Sequence, residues 1–267
     1  MKDIFSPEYQ KGALILFIVA IITLTIAGIT RHDDITGAAL VISGIFCFIT
    51  AILFFSLSKD EYPDIAITSL LPIGGTIGRC RFLSDLGIQG NSIFFPPNTR
   101  GGTITQFIPV TDSFIETLNV DYTYQIDKKN PGLVVYPQGI PILNYCIEKG
   151  GLNIPSNDKE VFIALRDLFC EYLELVNDFV INREGSNIII VLNGYLLING
   201  CKKVREESPK CCTMDPCPVC SLILCILSQG LNGPLSLTRT SIIDKNTLNL
   251  VISFFKEYEV LPPDSVL

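Results

Sequence analysis

The sequence predicts an α+β protein: a two-helix transmembrane hairpin followed by one mixed α/β soluble domain. Two observations predict the hairpin: residues 12–30 and 35–58 form long runs without a single charged side chain, and only four residues separate them. A third predicts the domain. In the rest of the 267-residue chain, short β-type runs mix with helix-period segments, without the regular alternation that a doubly wound sheet requires.

At about 1.5 Å per residue, residues 12–30 reach close to the ~30 Å of a hydrocarbon core. The runs therefore read as spans over about 12–30 and 35–57, within an N-terminal unit of residues 1–58. Arg31, His32, Asp33 and Asp34 allow only an antiparallel turn, so both ends of the hairpin face one compartment. Ala13, Ala20 and Ala27 recur on one helix, and Ala39, Ser43, Cys47 and Ala51 on the other. Small faces of this kind let helices approach closely in lipid. A cleaved signal peptide competes for the first run, but the run is long, no A-x-A site follows, and a second span comes at once. Lys2, Lys11 and Lys59 outweigh Arg31 in the short flanks, which orients the soluble domain to the cytoplasm. The expected location is the cell membrane, multi-pass, with the lipid bilayer as the first partner.

Residues 59–90 hold Pro63, Pro72, Gly74, Gly75 and Gly78 and read as a linker or irregular entry, with one short helix near 81–86. The soluble domain, 91–267, opens with β-type runs at 93–95 and 103–110, joined by turn residues into a hairpin. Further strands are expected at 122–126 and 133–136. A helix at 140–149 closes on Gly150 and Gly151, and a longer one, capped by Asn157 or Asp158, reaches about 176. Its buried face is Val161, Leu165, Leu168, Tyr172 and Leu175, with Glu160, Asp167, Glu171 and Glu174 outward. Strands at 179–182 and 188–192, a cysteine-rich loop, a buried helix at 219–229, a strand at 235–243 and a last helix at 244–258 complete the expected order.

Several functions are excluded early. The net charge is -7, and the only basic clump, Lys202, Lys203 and Arg205, is followed at once by Glu206 and Glu207, so nucleic acid is not an expected partner. The one histidine, His32, lies in the membrane turn, which leaves the domain without Ser-His-Asp or Cys-His catalysis and without a His-ligated metal. Gly74, Gly75 and Gly78 lack a following Lys-Ser/Thr and a preceding strand, so they read as a turn and not as a phosphate loop.

The chemistry-bearing candidates are cysteines. In a reducing compartment the chain's ten read as thiols, metal ligands or redox groups, not as a disulfide framework. Cys211, Cys212, Cys217 and Cys220 fall within ten residues, with Cys201 upstream and Cys225 downstream. Zinc could be held tetrahedrally by Cys211 or Cys212 with Cys201, Cys217 and Cys220. An iron–sulfur cluster could use the C-x5-C-x2-C-x4-C run that ends at Cys225. Inert thiols packing a loop and a helix start are the bland account. Cys217-Pro218-Val219-Cys220 at a helix start also resembles the active sites of glutaredoxin-type and thioredoxin-type proteins, which implies thiol–disulfide exchange. The departure is that a polar segment, not a buried strand, leads into the motif, and no cis-proline loop can be placed.

The N-terminal hairpin, the segment Ile93-Phe94-Phe95-Pro96-Pro97 and the late Asp215-Pro216-Cys217-Pro218-Val219-Cys220-Ser221 together resemble a group of uncharacterised membrane proteins from archaea. That resemblance implies the architecture and adds no catalytic residue. The expected function is a membrane-anchored cytoplasmic binding or scaffold domain with a structural or zinc-holding cysteine cluster, a protein partner or homo-oligomer, and no enzymatic role. The alternative is a membrane-bound thiol–disulfide or iron–sulfur redox protein using Cys217 and Cys220.

Overall fold

A computed structural model describes residues 7–30, 35–57, 64–97, 102–111, 124–125 and 131–255. The turn expected at 31–34, the turn residues at 98–101 and 128–130, and the flanking Lys2 and Lys59 lie outside these, as does the side chain of Lys11. The chain divides into two compact units, residues 1–63 and 64–267.

The first unit holds α1 (Pro7–Thr30) and α2 (Ile35–Leu57), packed along each other. The expected small face of α1 forms the contact: Ala13 and Ala20 are buried and Ala27 is half-buried. On α2 the contact is Gly44, Cys47 and Ala51, whereas Ala39 and Ser43 are exposed. Steps of four overshoot a helical turn by about 40°, so a face read at every fourth residue drifts away from its partner. A Cβ on Gly44 would lie 2.8 Å from Leu24 Cγ, which only glycine avoids. The large side chains, among them Leu14, Ile15, Ile42, Phe46 and Phe55, point outward and are exposed. Both helices are long and apolar enough to cross a membrane.

The second unit joins helices to an antiparallel sheet. Where a linker was expected, the chain forms α3 (Ile65–Leu70) and α4 (Ile73–Asp85). Asp64 caps α3 by accepting a hydrogen bond from the Ala66 N–H at 2.9 Å. In α4 the glycines Gly74, Gly75 and Gly78 all lie on the exposed side, while Ile73, Thr76, Cys80 and Leu83 form a buried stripe at helical spacing. Burial of that stripe against Ile88, Ile108, Val204 and Met214 outweighs the ~1 kcal/mol that each glycine costs a helix.

The sheet comprises β1 (Ile93–Phe95), β2 (Thr105–Pro109), β3 (Tyr124–Gln125), β4 (Gly132–Val135), β5 (Asp178–Glu184), β6 (Asn187–Asn193), β7 (Leu235–Asp244) and β8 (Thr247–Phe254). Its order is β3-β4-β2-β1-β7-β8-β6-β5, and every neighbouring pair is antiparallel. The β1–β2 hairpin matches the sequence reading, as does the β5–β6 hairpin, which turns through Gly185 at φ +62°. β8 does not. Residues 244–258 read as a helix because Leu248, Val251, Ile252 and Phe255 fit helical spacing, but Leu248, Leu250 and Ile252 are the buried set, with the period of two that a strand imposes.

The remaining helices are α5 (Ile140–Glu148), α6 (Asp158–Asp167), α7 (Ile198–Glu207), α8 (Cys211–Met214) and α9 (Pro218–Gly230). α7 and α8 replace most of the expected cysteine-rich loop. Asn157 caps α6, which runs into a π-helical turn at Leu168–Tyr172. The extra residue in that turn buries Leu168 and Phe169 together and swings Tyr172, expected inside, out to 45 % exposure. α9 packs on β1 and β7 between α5 and α6, and every side chain from Val219 to Ser228 is buried. Its thirteen residues span only about 20 Å.

Candidate functional site

The site forms where α8 gives way to α9 through Asp215, Pro216 and Cys217. The Asp215 N–H donates to the Cys211 carbonyl at 2.9 Å, closing α8. Pro218 occupies the first position of α9, where a missing N–H costs nothing. Cys217 is therefore the N-cap residue; its side chain makes no capping hydrogen bond, but the backbone N–H groups of Val219 and Cys220 help to lower its thiol.

Thiols converge on that sulfur. Cys201 of α7 and Cys220 of α9 share the cavity with Cys217, and hydrogen bonding from their thiols is the first influence on it. These bonds, that of Cys201 first, hold the Cys217 thiol well below its ordinary value and prevail over burial. The donors move the other way: Cys201 and Cys220 are pushed far up, first by the bond each gives to Cys217 and then by burial. Burial, reinforced by the charge of Cys217, pushes Cys212 up to about 12, with Arg205 and a hydrogen bond to Thr240 opposing. Arg205 is itself anchored, donating to the Thr240 carbonyl at 2.6 Å. Cys201, Cys212, Cys217, Cys220, Tyr195 and Arg205 all line one narrow cavity.

Of the five cysteines expected to act together, four share this cavity and Cys211 does not. Its side chain belongs to the separate core around α4, where the Cys80 thiol donates to the Cys211 carbonyl at 3.7 Å. Adjacent residues on a helix point about 100° apart, so Cys211 and Cys212 could not both face the cavity. Cys225, the last thiol of the iron–sulfur spacing, is buried in the main core beside Leu224 and Ile226 and pushed up to about 12 by burial. All ten cysteines are free thiols. Among the described residues, no group of three or more His, Cys, Asp or Glu side chains is placed to hold a metal ion.

Next to the thiols lies a feature the sequence did not single out. Asp215 is fully buried, and both carboxylate oxygens are occupied. Arg79 of α4 approaches Oδ2 through Nε at 2.8 Å and donates to Oδ1 through Nη2 at 3.2 Å. Gln106 of β2 donates to Oδ1 at 3.1 Å, and Gln138, just before α5, donates to Oδ2 at 3.0 Å. Burial nevertheless raises the Asp215 carboxyl above its usual range, with Arg79 the main opposing influence. Gln106 Oε1 is buried without a partner. The turn carrying Gln138 is held against α9 by Gly139, whose N–H donates to Ser221 Oγ at 2.9 Å. A Cβ on Gly139 would lie 2.2 Å from the Leu222 nitrogen, so the turn and the first turn of α9 touch backbone to backbone. Arg79 lies 136 positions from Asp215, and nothing in its neighbourhood marks it.

No protein-family model, no curated protein and no solved structure matches this chain. The reading of the site therefore rests on its own geometry.

Proposed function

We propose that this chain is a membrane-anchored thiol–disulfide redox protein, with Cys217 as the attacking thiolate and Cys220 as the resolving thiol. The observation that carries it is the placement of Cys217 and Cys220 at the start of α9, both on the wall of one cavity. In the exchange, the Cys217 thiolate attacks one sulfur of a substrate disulfide, forming a mixed disulfide and expelling a substrate thiolate that takes a proton from water. Cys220 then loses its proton to solvent and attacks the Cys217 sulfur. This forms the Cys217–Cys220 disulfide, releases the second substrate thiol and delivers two electrons to the substrate. Cys201 supports the first step by donating to the thiolate.

The anchor in this reading is the hairpin. Two helices of spanning length that turn large apolar side chains outward and small ones toward each other suit a lipid solvent. The lysine excess on the terminal side supports a cytoplasmic domain, and a reporter fused after Leu267 checks it: labelling from outside intact cells would reverse the orientation.

The competing reading, a binding or scaffold domain whose four cavity thiols hold zinc, is separated by one experiment. Full-length protein in detergent is equilibrated across glutathione redox buffers, alkylated and mapped by mass spectrometry, with elemental analysis of the same sample. The redox reading expects a reversible Cys217–Cys220 disulfide, lost in Cys217→Ser and kept in Cys225→Ala. One zinc per chain without that disulfide overturns it in favour of the binding domain.

A further inference from the structure

The stretch from Ile65 to Gly78 contains no charged residue. Fourteen uncharged positions are too few to span a bilayer, and an apolar stretch of this length is either a buried core element or one that lies at a membrane interface. The structure decides between the two on one half of it. Ile73 and Thr76 go into the core, but Ile65, Ile67, Leu70 and Leu71 stand out at 49, 60, 46 and 75 % exposure. A cluster of large apolar side chains on one short helix and the turn after it has no reason to face water. The covalent chain also restricts what it can meet: α3 starts eight residues after Leu57 ends the second apolar helix, a reach of at most about 29 Å.

From these observations we infer that the α3–α4 corner, with Ile67, Leu70 and Leu71 on one side of it, is a lipid-docking face that rests on a bilayer surface. The inference rests on the membrane reading of the hairpin. Its consequence concerns the thiol site. Ser69, Pro72 and Ile73, from the same corner, form part of the wall of the cavity holding Cys201, Cys212, Cys217 and Cys220. Docking of the corner sets that cavity at the lipid surface, where disulfides of membrane-associated partners are presented.

The chain contains no tryptophan, so single tryptophans report without background. Leu71→Trp, Phe46→Trp in α2 and Ile243→Trp on an exposed strand position are each prepared in the full chain and reconstituted in phosphatidylcholine vesicles with plain or brominated acyl chains. Bromine is expected to cut the emission of Leu71→Trp by at least about twofold, as it does for Phe46→Trp, and to leave Ile243→Trp unchanged. If Phe46→Trp is quenched and Leu71→Trp is not, the docking face is overturned while the anchor stands. If neither is quenched, the hairpin is not in lipid and both readings fall. A Leu71→Trp that is shielded from aqueous acrylamide yet beyond the reach of bromine means that protein covers the corner, which also overturns the inference.

Discussion

α2 and α9 are both apolar on nearly every side, yet they end in opposite surroundings. α2 leaves Ile42 and Phe46 exposed at 68 and 71 %, whereas α9 buries Leu224 and Cys225 completely. Their polar groups show why. In the hairpin, hydroxyls turn back on their own helix: Thr23 donates to the Val19 carbonyl at 2.9 Å, Thr25 to Ile21 at 2.8 Å and Thr50 to Phe46 at 2.8 Å. In α9 they reach other elements, Ser221 accepting from Gly139 and Ser228 donating to the Phe94 carbonyl at 3.0 Å. A helix whose threonines turn back on its own backbone suits a solvent that offers no partners, and one that depends on the sheet belongs in a protein core.

The largest test of this contrast is a matched truncation. Leu224→Ala should remove about 4 kcal/mol of stability in denaturant unfolding of the full chain in micelles, and Ile42→Ala less than about 0.5 kcal/mol. Comparable losses at the two positions would break the comparison. Next comes the polar half of the core. Asp215→Ala leaves Arg79, Gln106 and Gln138 without their acceptor and should cost about 3 kcal/mol. Because the clamp positions the Cys217 loop, the same variant should also slow Cys217 alkylation measured in the native protein.

Packing inside the hairpin is sharpened by Gly44→Leu, which must displace Leu24 and should weaken helix pairing by about 1–2 kcal/mol. Ser43→Leu, on the exposed side, should have little effect, as read by fluorescence transfer between the two helices.

The last test is a slope, small at neutral pH. Burial lifts the Cys225 thiol from an ordinary 9.0 to about 12. Between those values the unfolded chain gives up this proton and the folded chain keeps it. Stability is therefore undiminished below pH 9 and falls as pH rises through the window, by up to about 1.4 kcal/mol per unit. Cys225→Ala should flatten part of that alkaline limb in unfolding titrations, with the other raised thiols, Cys201, Cys212 and Cys220 among them, contributing to the rest.

Much of this architecture is legible one residue at a time. The uncharged runs, the alternation of Ile188, Ile190 and Leu192, the turn at Gly185 and the cap at Asn157 are local signals, and each element they mark is present. The errors fall where a local pattern fits two structures. Thr247–Phe254 satisfies helical and strand spacing alike, and pairing with β6 and β7 selects the strand. Glycines hide α4 until the core beneath its other face is known. For the site, the CPVC motif and its helix were visible, but the separation of Cys211 from Cys212 and the partners of Asp215 were not.

What the amino-acid order determined by itself was the pair of helices long and apolar enough to span a membrane: length without charge is a one-dimensional quantity, and it sets them apart from a domain that buries its apolar groups internally. Only the tertiary structure decided which thiols meet and what neutralises the buried carboxylate. Cys201 and Cys217 belong to different helices, and Arg79, Gln106 and Gln138 reach Asp215 from positions 136, 109 and 77 residues away. Contacts made across such separations depend on how the sheet and helices stack, and no local pattern encodes them.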